Sequence, residues 1–84
     1  EITEAGLRMV DEAESFLFGL GFKQVRVRHY QNLARIEVYP EEMGRLMNGS
    51  IREKVVRELR RIGYQYVTLD LQGFRSGSMN EVLE

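Results

Sequence analysis

Between Val25 and Val38 the chain alternates apolar and polar residues twice, as VRVRHY and LARIEV, with Gln31 and Asn32 between the two runs. A period of two puts successive side chains on opposite faces of a strand, and so short a link favours an antiparallel hairpin. The first strand is read as Phe22 to Tyr30, with Val25, Val27 and His29 on one face and Gln24, Arg26 and Arg28 on the other. The second is read as Leu33 to Tyr39, with Ala34, Ile36 and Val38 opposed to Arg35, Glu37 and Tyr39. A lone hairpin is at best marginally stable in water, so the rest of the chain must cover its apolar face.

Stretches with helical spacing supply that cover. Thr3 suits an N-cap and Glu4 the positive start of a helix, after which Leu7, Val10, Glu14, Leu17 and Leu20 recur at three- and four-residue spacing up to Gly21, a left-handed C-cap. Phe16 and Phe18 widen the apolar surface beyond what one sheet needs and point to a partner surface, with extra core as the rival reading. After the hairpin, Pro40 opens a short helix through Glu41, Glu42, Met43, Leu46 and Met47, ended by Asn48 and Gly49. Ser50 and Glu53 then form a capping box before Ile51, Val55, Leu59 and Ile62, and Gly63 ends this second long helix. Tyr64 to Leu71 alternates again, with Val67, Leu69 and Leu71 inward and Tyr66, Thr68 and Asp70 outward.

The order helix-strand-strand-short helix-helix-strand predicts an α+β domain of two layers, a three-stranded sheet with the helices on one face and a right-handed crossover into the last strand. A chain of 84 residues holds one such domain and no second. With no initiator methionine and helical sequence starting at once, the chain is expected to be a piece cut from a longer protein.

Charge and composition exclude several functions. The 12 basic and 13 acidic residues leave a net charge of -1, which gives no general attraction to nucleic acid or membrane, so an anion site has to come from local clustering. Without cysteine there is no disulfide, zinc-thiolate site or thiol nucleophile. No apolar run approaches the ~18 residues of a membrane span, and the expected compartment is the cytoplasm. No nucleophile, base and orienting partner can be assembled, and there is no Walker-type phosphate loop.

The helix-free face displays Arg26, Arg28, Arg35, Glu37, Tyr66, Thr68 and Asp70. Ion pairs to Glu37 and Asp70 would make it a solvated sheet surface. Alternatively, Arg26 and Arg28, about 6.5–7 Å apart along one strand face, can share a phosphate through their guanidinium forks. Glu14 is the odd member of the first helix stripe, either an edge residue reaching water or a placed functional carboxylate. His29 lacks a second histidine for a metal pair and reads as a strand-end residue, and the Gly- and Ser-rich surroundings of Arg75 are a weak anion signal.

The runs AESFL, LGFKQVRVRHYQNLARIEV and IGYQYVTLDLQGFRSGSMNEVL resemble the C-terminal end of the ATP-dependent sacrificial sulfur transferases of the LarE type, in the PP-loop ATP pyrophosphatase superfamily. The resemblance spans Glu14 to Leu83 and implies a parent enzyme that adenylylates a carboxylate of a nicotinate-derived mononucleotide and then transfers sulfur to it, for synthesis of the nickel-pincer nucleotide cofactor. It implies that the ATP-binding loop and the sulfur-donating cysteine lie in an N-terminal PP-loop domain outside this chain, that ATP and magnesium belong to the parent while the chain itself holds no cofactor, and that the enzyme forms homo-oligomers. The family's active-site glutamate falls on Glu14, its hairpin arginine pair on Arg26 and Arg28, and a further phosphate-region arginine on Arg75. A rival reading is a small module holding single-stranded nucleic acid on the Arg and Tyr sheet face, against which the near-neutral charge argues. Another is a purely structural oligomerisation domain.

Overall fold

A computed structural model describes residues 2–75. Helix α1 spans Glu4–Gly19, strands β1 and β2 span Val25–Tyr30 and Leu33–Val38, and a 3-10 turn at Pro40–Glu42 leads into α2, Met43–Met47. Helix α3 spans Gly49–Ile62 and strand β3 spans Tyr66–Leu69. The expected class, element order and two-layer arrangement hold.

The sheet order is β1-β2-β3. β1 and β2 pair antiparallel from Val25↔Val38 to Tyr30↔Leu33, and β2 pairs parallel with β3 from Leu33↔Tyr66 to Ile36↔Leu69. A parallel pair needs a crossover, and α2 and α3 provide it. Val25, Val27, Ala34, Ile36 and Val38 are all buried and form the core with Leu17, Val55 and Leu59 of the helices.

Thr3 caps α1, its Oγ1 accepting the Gly6 N–H at 3.0 Å. The buried stripe of α1 keeps the expected Leu17 and Leu20 but before them runs one residue out of register, through Gly6, Met9 and Ala13, with Phe16 packed beside it, and leaves Leu7 53% exposed. The small residues decide this. A Cβ on Gly6 would lie 2.7 Å from Ile2 Cγ1 and 3.2 Å from His29 Nε2, so the helix approaches the sheet where it has no side chain. The last turn of α1 carries no basic residue of its own. Arg45 of α2 serves instead, donating from a terminal nitrogen to the Leu20 carbonyl at 2.6 Å with its guanidinium 4.3 Å from the Phe22 ring centroid.

The capping box at Ser50 is not used. Asn48, extended at φ -61° and ψ 128°, ends α2 and caps α3 two residues earlier, its Oδ1 accepting from Ser50 N at 3.1 Å and Ile51 N at 3.3 Å. Asparagine equals serine as a cap, and placing one residue at both helix ends keeps the connection to a single residue. Asn48→Ala is expected to cost about 1 kcal/mol, read as a lower urea midpoint at unchanged slope.

The strands are shorter than the alternation suggested. Phe22 is buried but precedes β1, and Leu71 is 80% exposed rather than inward. Asp70 N still bonds Ile36 O at 2.9 Å, but Gly73 N then bonds Asp70 O at 2.9 Å and Gln72 N bonds Asp70 Oδ1 at 2.9 Å, closing a turn with Leu71 in it. Among the described residues, no helix is long and apolar enough to cross a membrane.

Candidate functional site

On the sheet face away from the helices, the hairpin register sets Arg26 opposite Glu37 and Arg28 opposite Arg35. Like charges directly opposite one another destabilise a sheet. Glu37 relieves this pair, for its Oε2 accepts from Arg28 Nε at 3.2 Å and from a terminal nitrogen of Arg35 at 3.3 Å. Asp70 adds a weaker contact, 3.6 Å from Arg35 Nε. Glu37 is only 3% exposed, against the expectation of an outward, hydrated residue, because the two guanidiniums cover it.

Aromatic rings brace the outer arginines. The Arg35 guanidinium lies 5.5 Å from the Tyr30 ring centroid, and that of Arg26 lies 5.4 Å from the centroid of Phe74. Phe74 is itself fixed, its N–H donating to Val38 O at 2.7 Å and its ring meeting Tyr39 edge-on at 5.8 Å. The exposed Arg75 follows Phe74 directly, so the end of the described chain is brought to the arginine face. The SGSMN part of the tail lies outside the described residues.

Glu14 approaches the same strand from the helix layer. Its Oε2 accepts the Val27 N–H at 2.9 Å. β1 is an edge strand, and an edge donor pointing away from its neighbour needs water or a side chain. Glu14 is therefore a half-buried cap on the main chain between Arg26 and Arg28, not an edge residue turned to water. The three expected hairpin-region residues converge on β1, two through side chains on one face and one through the backbone.

Next to this cap sits a pair that the sequence did not single out as functional. Tyr64 is 1% exposed, its hydroxyl lies 2.8 Å from His29 Nδ1, and the two rings meet edge to face at 5.4 Å. Burial first, and then the Glu14 carboxylate, push the Tyr64 phenol above its ordinary pKa. By strand parity Tyr64 belongs with the outward Tyr66 and Thr68, but it precedes β3, where parity has no force. Its position directly after the C-capping Gly63, where a chain turns back over its core, was the available signal.

Arg28 and Arg35, held by Glu37 and Asp70, with Arg26 beside them on the same face, can grip an anion through held guanidinium forks. Among the described residues no group of three His, Asp or Glu side chains could hold a metal ion.

No protein-family model matches the chain. An uncharacterised protein of Synechocystis is 46% identical over 83 residues, which are 99% of this chain and 31% of that protein. The pyridinium-3,5-bisthiocarboxylic acid mononucleotide synthase of Lactiplantibacillus plantarum is 43% identical over 82 residues, 98% of this chain and 29% of the synthase. An uncharacterised protein of Methanocaldococcus jannaschii is 30% identical over 76 residues, 90% of this chain and 29% of that protein. The chain thus spans under a third of the length of each of these relatives.

Proposed function

We propose that the chain is the C-terminal domain of an ATP-dependent sulfur transferase of the LarE type, from the PP-loop ATP pyrophosphatase superfamily. The parent enzyme adenylylates a carboxylate of a nicotinate-derived mononucleotide and puts sulfur in place of the adenylate, a step in making the nickel-pincer nucleotide cofactor. Likeness over nearly the whole chain to a synthase named for a thiocarboxylic acid mononucleotide supports this reading. The observation that carries it is geometric: Arg26 and Arg28 stand on one face of one strand, with Phe74 laid against Arg26 and Arg75 next in the chain.

In this reading Arg26, Arg28 and Arg75 hold the substrate phosphate, and Glu14 places a carboxylate beside the same strand. ATP and magnesium fall to the N-terminal PP-loop domain. Phe18 and Leu7, both exposed on α1, are the oligomer surface; Phe16 packs against the core instead. The nucleic-acid reading has less support, because the Tyr30 and Phe74 rings each already carry a guanidinium, which leaves it the exposed Tyr66 as a stacking ring.

Arg26 is the cleaner residue to test. Arg28→Ala removes one of two partners from the buried Glu37 and costs stability as well as function. Arg26→Ala gives up a half-buried cation–π contact, worth about 0.5–2 kcal/mol. In the full-length polypeptide Arg26→Ala is expected to slow formation of the thiolated mononucleotide, followed by mass spectrometry, by about tenfold. Undiminished turnover would remove the phosphate role from this face.

A further inference from the structure

We infer that Glu37 is the positioning residue of the phosphate grip, fixing the Arg28 guanidinium from beneath while Arg35 closes over it. The inference rests on the reading that Arg28 touches substrate phosphate, and it adds a residue that this reading does not contain.

Glu37 is at odds with its surroundings. It lies on the face that the helices leave uncovered, yet it is 3% exposed. One carboxylate oxygen, Oε2, takes both guanidiniums, whereas the other, Oε1, is buried with no hydrogen-bond partner among the described residues. Desolvating a carboxylate is costly, and leaving one of its oxygens unbonded adds to the cost. Arg26, directly opposite in register, would be the natural partner for that oxygen, but its guanidinium lies on Phe74.

The geometry of the bond to Arg28 explains what is gained. Arg28 is held at Nε, the nitrogen nearest the backbone, by an acceptor that is itself immobilised. A bond at that point restricts the last rotations of a long side chain and sets the plane of its fork, so less rotamer freedom is lost when an anion arrives. Arg35 is held differently, through a terminal nitrogen on the same oxygen and by the Tyr30 ring. Electrostatics alone predicts the reverse effect: Glu37 is a negative charge beside an anion site, and deleting it should strengthen phosphate binding. Positioning and charge neutralisation therefore differ in sign.

The test uses the full-length polypeptide and a matched pair of probes, nicotinate mononucleotide and nicotinate riboside, which differ by the phosphate. Calorimetry gives the ratio of their dissociation constants. Glu37→Ala is expected to reduce the preference for the mononucleotide by about tenfold, with riboside binding unchanged, and Glu37→Gln, which keeps an acceptor without the charge, to recover part of it. Should Glu37→Ala fail to fold, Glu37→Gln carries the test with a loss of about threefold, because neutral acceptors bond guanidinium more weakly. A preference that is unchanged or increased in the folded variant overturns the positioning role. Arg28→Ala separates the two levels: if it leaves the preference intact, the phosphate reading itself fails, whereas a loss in Arg28→Ala without one in the Glu37 variants sinks only the inference.

Discussion

Glu14→Gln in the full-length polypeptide is expected to lower sulfur transfer by about a hundredfold, at the low end of what a placed acid or base contributes, while the melting temperature stays near that of the parent. Glu14→Ala is expected to lose the same activity and about 1–3 kcal/mol of stability besides. The difference follows from what the carboxylate does locally. The glutamine amide oxygen can still accept the Val27 N–H, so β1 keeps its edge cap and only the charge is removed. Alanine leaves the donor on a half-buried strand edge without its side-chain acceptor.

Tyr64 reports on the same charge independently of activity. The Glu14 carboxylate is the second cause, after burial, that raises its phenol, so Glu14→Gln should bring the tyrosine absorbance titration of this residue part of the way back towards 10.0. For a phenol whose folded pKa is raised, the stabilisation is fully present below its ordinary value and is lost as pH rises through the folded one. The parent should thus lose stability at alkaline pH, above about 10, and the glutamine variant should lose less of it. Full activity in Glu14→Gln would leave the residue as an edge cap and nothing more.

The second large effect is expected at Gly73. Its φ is +80°, and a Cβ there would lie 2.9 Å from Val38 O, 3.0 Å from Met43 Cε and 3.2 Å from Pro40 Cδ. Val38 O also receives the Phe74 N–H at 2.7 Å, so the clash falls on the bond that lays Phe74 against Arg26. Methionine can swing aside, but the carbonyl at the end of β2 cannot. Gly73→Ala is expected to cost about 1–3 kcal/mol, measured by urea unfolding, and to weaken mononucleotide binding because Phe74 and Arg75 are displaced. If stability falls with no change in affinity, the Phe74–Arg75 segment does not belong to the site.

The hairpin was legible because strand period and side-chain face are the same information, and Arg26 and Arg28 came with it. α3 was legible along its length, since Ile51, Val55, Leu59 and Ile62 mark one face, but its start was not, because Asn48 and Ser50 are equally good caps and only the path from α2 selects between them. α1 misled at Leu7 because apolar spacing cannot register the two residues, Gly6 and Ala13, that let the helix come close. Tyr64 was misplaced, and Glu37 stands on the expected face with the expected ion pairs but is unexpectedly buried. The Tyr64 contact depends on His29, 35 residues away, whereas Glu37 is covered only because Arg28, nine residues away across the hairpin, closes on it together with the neighbouring Arg35. Glu14 stood out as an anomaly in its stripe, yet the donor it serves is a main-chain group, which is silent in a sequence.

The mixed sheet separates the assembly of the site from its completion. β1 and β2 are neighbours across a two-residue turn, so the register that places Arg26 against Glu37 is a local event on the microsecond scale of hairpins. β3 reaches β2 only after α2 and α3 have been laid down, and its closure bears the loop entropy of that excursion. It is a four-residue strand, and the Thr68 hydroxyl, donating to Ala34 O at 2.8 Å, adds a side-chain rung to its short ladder. The central strand thus acts as a template: the pairing that sets the arginines is written first, and the late strand copies a register already chosen.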